Sequence, residues 1–225
     1  RARALYVGGG TPTAIPREAL EEIIFAAREA FPGAVEQTVE AGRPDTIDRP
    51  MLEMLLNAGT TRISVNPQTF NDETLRRIGR AHTAQETNAA YQLAREVGFT
   101  DINMDLIAAL PGETLEDFRR TLETTVSLAP ESVTVHALAI KRSSRLHEQM
   151  HVQGGGHGLT PANEAEKMTA LARRTLTEGG WKPYYLYRQK YMAGNLENVG
   201  YARPGMACLY NIGNMEETAS VLALG

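Results

Sequence analysis

Short apolar runs that end in glycine alternate with longer stretches in which apolar residues recur every three or four positions. The first run, Leu5-Tyr6-Val7, is closed by Gly8-Gly9-Gly10 and predicts a buried strand that opens into a loop. Pro16 suits the first position of a helix carried by Leu20, Ile23, Ile24, Ala27 and Phe31 and ended by Pro32-Gly33. Residues 34–40 alternate as a second strand with Val35 and Val39 apolar; 51–56 predict a helix closed by Gly59, and 61–65 a third strand. Asn71 or Asp72 caps a short helix running to Ile78-Gly79, and a longer one, 84–97, stops at Gly98. The fourth strand, 101–107, interleaves Asn103 and Asp105 with apolar residues; a loop at 110–114, a helix over 114–128 and a fifth strand at 132–136 follow. This repeated order predicts an α/β fold with a parallel sheet and right-handed crossovers.

The later part is less regular. Residues 141–158 are polar and hold Gly154-Gly155-Gly156 with His147, His151 and His157; without a carboxylate pattern beside them, these histidines read as a surface loop rather than a metal site. A helix over 161–177 leads to Trp181-Lys182-Pro183 and then to Tyr184, Tyr185, Tyr187 and Tyr191 clustered around Arg188 and Lys190, which reads as an amphipathic strand.

Composition narrows the classes. The 225 residues are 42% hydrophobic, as in one ordinary globular domain, and the formal charge of -4 gives no basic excess for general nucleic-acid affinity. No apolar run is long enough to span a bilayer, and Cys208, the sole cysteine, excludes an internal disulfide and suits a cytoplasmic setting. The chain begins at Arg1 with a strand-like run almost at once and stops at Gly225 inside an apolar run, so both ends read as cuts in a longer protein and apolar surface is expected along the first strand.

Three consecutive glycines let the main chain reach positive φ and let a ligand approach its N–H and C=O groups. A phosphate P-loop is excluded because Thr11-Pro12-Thr13, with no lysine, follows Gly10. A dinucleotide fingerprint fits Gly8 and Gly10 but has Thr13 where its third glycine belongs. In a parallel sheet the C-terminal strand ends converge, which gathers Gly8 to Thr11, Glu40, Asn66, Gln68, Asp105 and Ala139 at one rim. Such a set suits a ligand with hydroxyls and an amino-acid portion, and Arg80 could hold a carboxylate.

The run 6–13, the segment 38–45, the stretch 64–83 and Asp105-Leu106-Ile107 with Leu110-Pro111-Gly112-Glu113-Thr114 resemble the radical S-adenosylmethionine oxygen-independent coproporphyrinogen III oxidase family. Residues 183–195 resemble the C-terminal signature of its coproporphyrinogen dehydrogenase branch. The resemblance implies a partial parallel (β/α) barrel truncated at both ends, a single domain over 1–225 with the substrate side beginning near residue 181. It implies S-adenosylmethionine contacts at Gly9, Gly10, Thr11, Glu40, Gln68, Arg80, Asp105 and Ala139. The implied reaction is radical decarboxylation of porphyrinogen propionates to vinyl groups, with a [4Fe-4S] cluster and an electron donor or acceptor. Tyr187, Arg188 and Lys190 are candidates to meet the substrate, since a macrocycle with carboxylates needs aromatic walls and cationic donors. The family holds its cluster with CxxxCxxC, upstream of the glycine run, and this chain has Cys208 alone; no cluster is therefore expected to form on it. Two other classes stay open: a haem-binding or haem-delivery protein, and, on Gly8, Gly10 and Glu40, a nicotinamide-dependent dehydrogenase.

Overall fold

The computed structural model describes residues 2–138, 162–188 and 196–224. Five strands, β1 (Ala4–Val7), β2 (Glu36–Gly42), β3 (Arg62–Val65), β4 (Ile102–Ala108) and β5 (Ser132–Ala137), lie side by side in chain order, each parallel to the next. Between them run α1 (Arg17–Ala30), α2 (Arg49–Asn57), α3 (Asp72–Arg77), α4 (Ala84–Val97) and α5 (Leu115–Leu128). The local signals read from the sequence set these bounds. Asp48, Asn71, Thr83 and Thr114 each cap a helix with a side-chain oxygen, and Thr83 and Thr114 form reciprocal capping boxes with Glu86 and Asp117.

Beyond β5 the sheet departs from the parallel expectation. After α6 (Ala162–Glu178), β6 (Lys182–Tyr187) and β7 (Asn198–Ala202) form an antiparallel pair, and β7 pairs antiparallel to β5, so the order is β1-β2-β3-β4-β5-β7-β6. The parallel half-barrel is thus extended by a hairpin. A last short helix, α7 (Leu209–Met215), leans across the inner side against β6 and β1. Val35 also differs from its expected place: it precedes β2 and is 69% exposed.

The two sides of the sheet have opposite chemistry. Val39, Ile63, Ile102 and Met104 face outward into a core closed by Leu20, Ile24, Leu52, Leu55 and Tyr91 of α1, α2 and α4. Leu106, Val133 and Val135 do the same beneath Phe118 and Leu122 of α5 and Met168, Ala172 and Leu176 of α6. The residues between them, Thr38, Ser64, Asn103, Asp105, Thr134 and His136, belong to the inner face by the two-residue period of a strand. At β1, Leu5 borders a surface groove of about 620 Å³ whose wall mixes Phe25, Phe31 and Val35 with Arg28, Glu29 and Gln37.

Candidate functional site

The inner face carries its polar residues in tiers. At the N-terminal end of the strands, the fully enclosed Arg62 guanidinium binds Asp101 at 2.8 Å, the Met206 carbonyl at 3.0 Å and the Ser132 hydroxyl. Beside it Glu36 accepts hydrogen bonds from the backbone N–H groups of Leu209 (2.7 Å) and Tyr210 (3.1 Å) and from the Cys208 thiol (3.3 Å). A carboxylate at this point satisfies orphan N–H groups at the start of α7 and complements the helix dipole. Burial and the neighbouring Glu36 push the Cys208 thiol up to about 11, although Arg62 pulls the other way, so it stays protonated at neutral pH.

Above this floor lies a cavity of about 260 Å³ between the sheet and α7. Tyr6, Glu40, Ser64, Asp105, His136 and Tyr210 represent the elements that wall it. Glu40 accepts a hydrogen bond from the Tyr6 hydroxyl, and the Tyr6 ring stacks on Tyr210 with centroids 4.1 Å apart. Burial, then the charge and hydrogen bond of Glu40, push the Tyr6 phenol far above its ordinary value, so it remains a donor. Asn103 donates to Asp105 at 2.8 Å and accepts from Ser132 at 2.9 Å. Burial alone would raise the Asp105 pKa, but the polar side chains around it, His136 first, then Asn103 and Thr134, outweigh it and hold the carboxyl below its ordinary value. Two buried hydroxyls of this face, Thr38 Oγ1 and Ser64 Oγ, have no hydrogen-bond partner. Buried polar atoms normally find one, so the Ser64 hydroxyl, in a residue that lines the cavity, marks a donor left for a ligand or ordered water, whereas Thr38 stands outside the cavity wall.

The glycine turn stands at the upper edge, and its members are glycine for different reasons. A Cβ on Gly8 would come within 2.7 Å of the Tyr6 ring and 3.0 Å of the Glu40 carboxylate, so this position is set by close approach. Gly9 and Gly10 have φ of 85° and 59° and open space where a Cβ would stand. Their need is conformational, and the Gly9 N–H comes within 3.4 Å of Glu40.

Of the residues expected at the rim, Glu40 and Asp105 line the cavity, and Gly9 abuts it through Glu40. Thr11 starts a short 3-10 turn, and its side chain caps nothing. Gln68 is buried with φ of 65° and bridges in parallel to Leu106, its N–H bonded to the Asp105 carbonyl at 2.9 Å, so it extends β3 past the break at Asn66-Pro67. The Arg80 guanidinium has no salt bridge among the described residues; burial, reinforced by the nearby Arg43 charge, lowers its pKa. Ala139 and Lys190 lie outside the described residues, as do His147, His151 and His157. Tyr187 lines the cavity, but Arg188 does not: its guanidinium is exposed and bound to Glu197 at 2.8 Å and 3.1 Å.

Sequence reasoning missed His136 and the α7 face formed by Tyr210, Asn211 and Asn214, all of which line the cavity. The alternation Ser132-Val133-Thr134-Val135-His136 did carry the signal for His136, whereas nothing local marks α7. Among the described residues, the side chains lining this cavity include two carboxylates and no lysine or arginine. Such a wall accepts hydroxyl and ammonium donors and disfavours an anion.

Comparison with known proteins adds to this picture. The Radical SAM superfamily model matches residues 1–125. The chain is 44% identical, over its whole length and 45% of the relative, to the oxygen-independent coproporphyrinogen-III oxidase-like protein HemZ of Bacillus subtilis (strain 168). It is 29% identical, over 93% of the chain and 52% of the relative, to the heme chaperone HemW of the same organism. Among solved structures, coproporphyrinogen III oxidase (HemN) from Escherichia coli superposes with a TM-score of 0.74 at 26% identity, covering 95% of this chain and 45% of that one. The chain spans about half the length of these curated relatives.

Proposed function

The chain belongs to the radical SAM superfamily, and on that footing we propose that it is the nucleoside-binding half-barrel of an S-adenosylmethionine-dependent protein acting on a tetrapyrrole. The observation that carries this reading is the convergence of Glu40, Asp105 and the unpaired Ser64 hydroxyl on a cavity beside an open glycine turn. Those residues fit the cofactor's chemistry: carboxylates accept from ribose hydroxyls and from an α-ammonium, and they favour a sulfonium cation. Glu40, with Gly9 and Gly10, would hold one end, and Asp105 and Gln68 the ribose. Arg80 would take the carboxylate, and Ala139 remains a candidate by resemblance alone. S-adenosylmethionine, when bound and given one electron by a donor outside this chain, would supply hydrogen-atom abstraction from an unactivated carbon.

An iron–sulfur cluster, by contrast, does not fit this chain's residues. Its single cysteine is buried, protonated and tied to Glu36, and no group of three or more histidine, cysteine, aspartate or glutamate side chains among the described residues could hold a metal. Cluster ligands would have to come from elsewhere in the protein.

For the whole protein, the relative at 44% identity supports oxidative decarboxylation of coproporphyrinogen III propionates, with a porphyrinogen as substrate and a separate electron partner. A second reading, haem binding without that turnover, is favoured by the relative named a heme chaperone and by the pairing of Arg188 with Glu197, which leaves that guanidinium engaged away from the cavity. Anaerobic incubation of the full-length protein with coproporphyrinogen III, S-adenosylmethionine and a one-electron reductant, beside a separate addition of haem, separates them. Release of carbon dioxide with a vinyl product supports the first, and a haem absorption band without turnover supports the second.

The nucleoside assignment has its own test by titration calorimetry. Glu40→Gln, which keeps shape and loses charge, is expected to weaken S-adenosylmethionine binding by about tenfold, the ~1.4 kcal/mol typical of a charged hydrogen bond. Unchanged affinity, or tighter binding of NAD than of S-adenosylmethionine, would count against it.

A further inference from the structure

Asp105 on β4 and Tyr187 on β6 stand on strands separated by β5 and β7, and the His136 side chain on β5 lies between them. Its Nε2 is 3.9 Å from Asp105 Oδ1, an ion-pair separation too long for a direct hydrogen bond. Its Nδ1 is 3.3 Å from the Tyr187 hydroxyl, and the two rings meet edge to face at 6.5 Å and 72°. An imidazole suits this place because its two nitrogens can address a carboxylate and a phenol at once, one as donor and one as acceptor.

The chain of contacts continues past Tyr187. Its ring stacks on Tyr185 at 6.3 Å, the Tyr185 hydroxyl lies 3.3 Å from Thr134 Oγ1, and the Tyr185 ring lies over Gly200, where a Cβ would fall 1.8 Å from it. Tyr185 therefore ties the two strands of the hairpin together, and Tyr187, stacked on it, reaches His136. The titratable groups around the cavity that face this imidazole are Asp105, Tyr185 and Tyr187, with Glu40, Tyr6 and Tyr210 across from it.

We propose that His136 is a positioning residue that links the rim carboxylate Asp105 to Tyr187 on the β6–β7 hairpin, so that a ligand held by Asp105 orders strand β6. The proposal rests on the nucleoside reading given above. Asp105 is already shared between Asn103 and His136, so a hydroxyl donor arriving at that carboxylate shifts the balance of both contacts. His136 passes the shift to the tyrosines, and the strand expected to begin the substrate side stiffens only when the nucleoside is in place.

The test uses the full-length protein, with S-adenosylmethionine affinity from calorimetry and amide hydrogen exchange read over residues 184–187. In the unaltered protein the ligand is expected to slow exchange there. His136→Ala is expected to weaken binding by only ~5-fold, the scale of one lost hydrogen bond, and to abolish the protection of β6 even when the ligand is saturating. His136→Gln, which keeps a donor and an acceptor, should restore part of it. If His136→Ala does not fold, Tyr187→Phe reads the same link from the other side, removing one hydroxyl and, at saturating ligand, the β6 protection with it. Full protection of β6 in saturated His136→Ala or Tyr187→Phe overturns the proposal alone. Failure of the unaltered protein to bind S-adenosylmethionine overturns the nucleoside reading beneath it.

Discussion

On β4 the side chains of Ile102, Met104 and Leu106 are completely enclosed by helices, while Asn103 and Asp105, one residue away on either side of Met104, reach other polar groups and a cavity. The same strand therefore belongs to two environments. Its outer face is a packed core in which shape decides the energy, and its inner face is a hydrogen-bonded surface in which partners decide it. A barrel whose interior merely stabilised it would fill that interior with branched apolar residues. Here the interior of the half-barrel is built from Thr38, Ser64, Asn103, Asp105, Thr134 and His136, so the apolar core lies on one side and the polar cavity on the other.

The sharpest way to break this comparison is to injure one face and read the other. Met104→Ala removes a fully buried side chain from the outer core and is expected to cost ~2–5 kcal/mol of unfolding free energy, measured by urea denaturation. S-adenosylmethionine affinity per folded molecule should not change. A shift in affinity would mean that the faces are not separable.

The converse substitutions lie on the inner face. Thr38→Val and Ser64→Ala replace unpaired buried hydroxyls with apolar groups, so stability should hold or rise by up to about 1 kcal/mol, while ligand affinity falls in the Ser64 variant, the one that lines the cavity. A loss of stability in either variant would show that its hydroxyl is already bonded in the free protein.

The smallest effect separates two carboxyls, one in the middle of β4 and one in the loop that follows it. Asp105 is held below its ordinary pKa by its partners, whereas burial raises that of Glu113, which accepts a hydrogen bond from Thr69 at 2.6 Å. For Glu113 the folded pKa lies above the unfolded value of about 4.3, so its contribution is full below that value and is lost as pH rises through the folded pKa. Glu113→Gln should therefore equal or exceed the parent in stability at pH 7, by ~1 kcal/mol or less, and lose that relative gain near pH 4. Denaturation midpoints at the two pH values check the sign. A variant that is less stable at pH 7 and level at pH 4 would mean that the ionised Glu113 carboxylate contributes to the fold.

Much of this arrangement was readable before any coordinates. The five parallel strands and their helices follow from apolar periodicity, glycine stops and caps whose partners lie within three residues, such as Asn71 to Glu73 and Thr83 to Glu86. Residues 198–202 and 209–215 were not readable, and the reason is the range of the interactions that form them. β7 is defined by pairing with β5 some 64 to 70 positions away and with β6, and Gly200 within it is required by a ring from the neighbouring strand. The cap of α7 comes from Glu36, and the seven residues of that helix bury no side chain fully. At the site, the rim was legible because strand ends converge in any parallel sheet, which placed Glu40 and Asp105 together. The pairing of Arg188 with Glu197 was not, because a hairpin that no local pattern announced brings them together. Val35 looked like a strand residue by alternation, yet the register of β2 begins one residue later, where Glu36 pairs with Ala4.

The grip of Glu36 on α7 closes a ring of more than 170 residues, since its partners are Cys208, Leu209 and Tyr210. The entropy of closing a flexible ring grows only with the logarithm of its length, by about 0.6 kcal/mol for each doubling. Seating the last helix over the cavity is therefore almost indifferent to how much chain lies between the second strand and the helix. An insertion of tens of residues along that path would cost a few tenths of a kcal/mol in closure, less than the loss of one of the three bonds to Glu36. The wall that α7 gives the cavity is secured by the quality of one carboxylate's contacts and tolerates wide variation in the length of the chain that carries it.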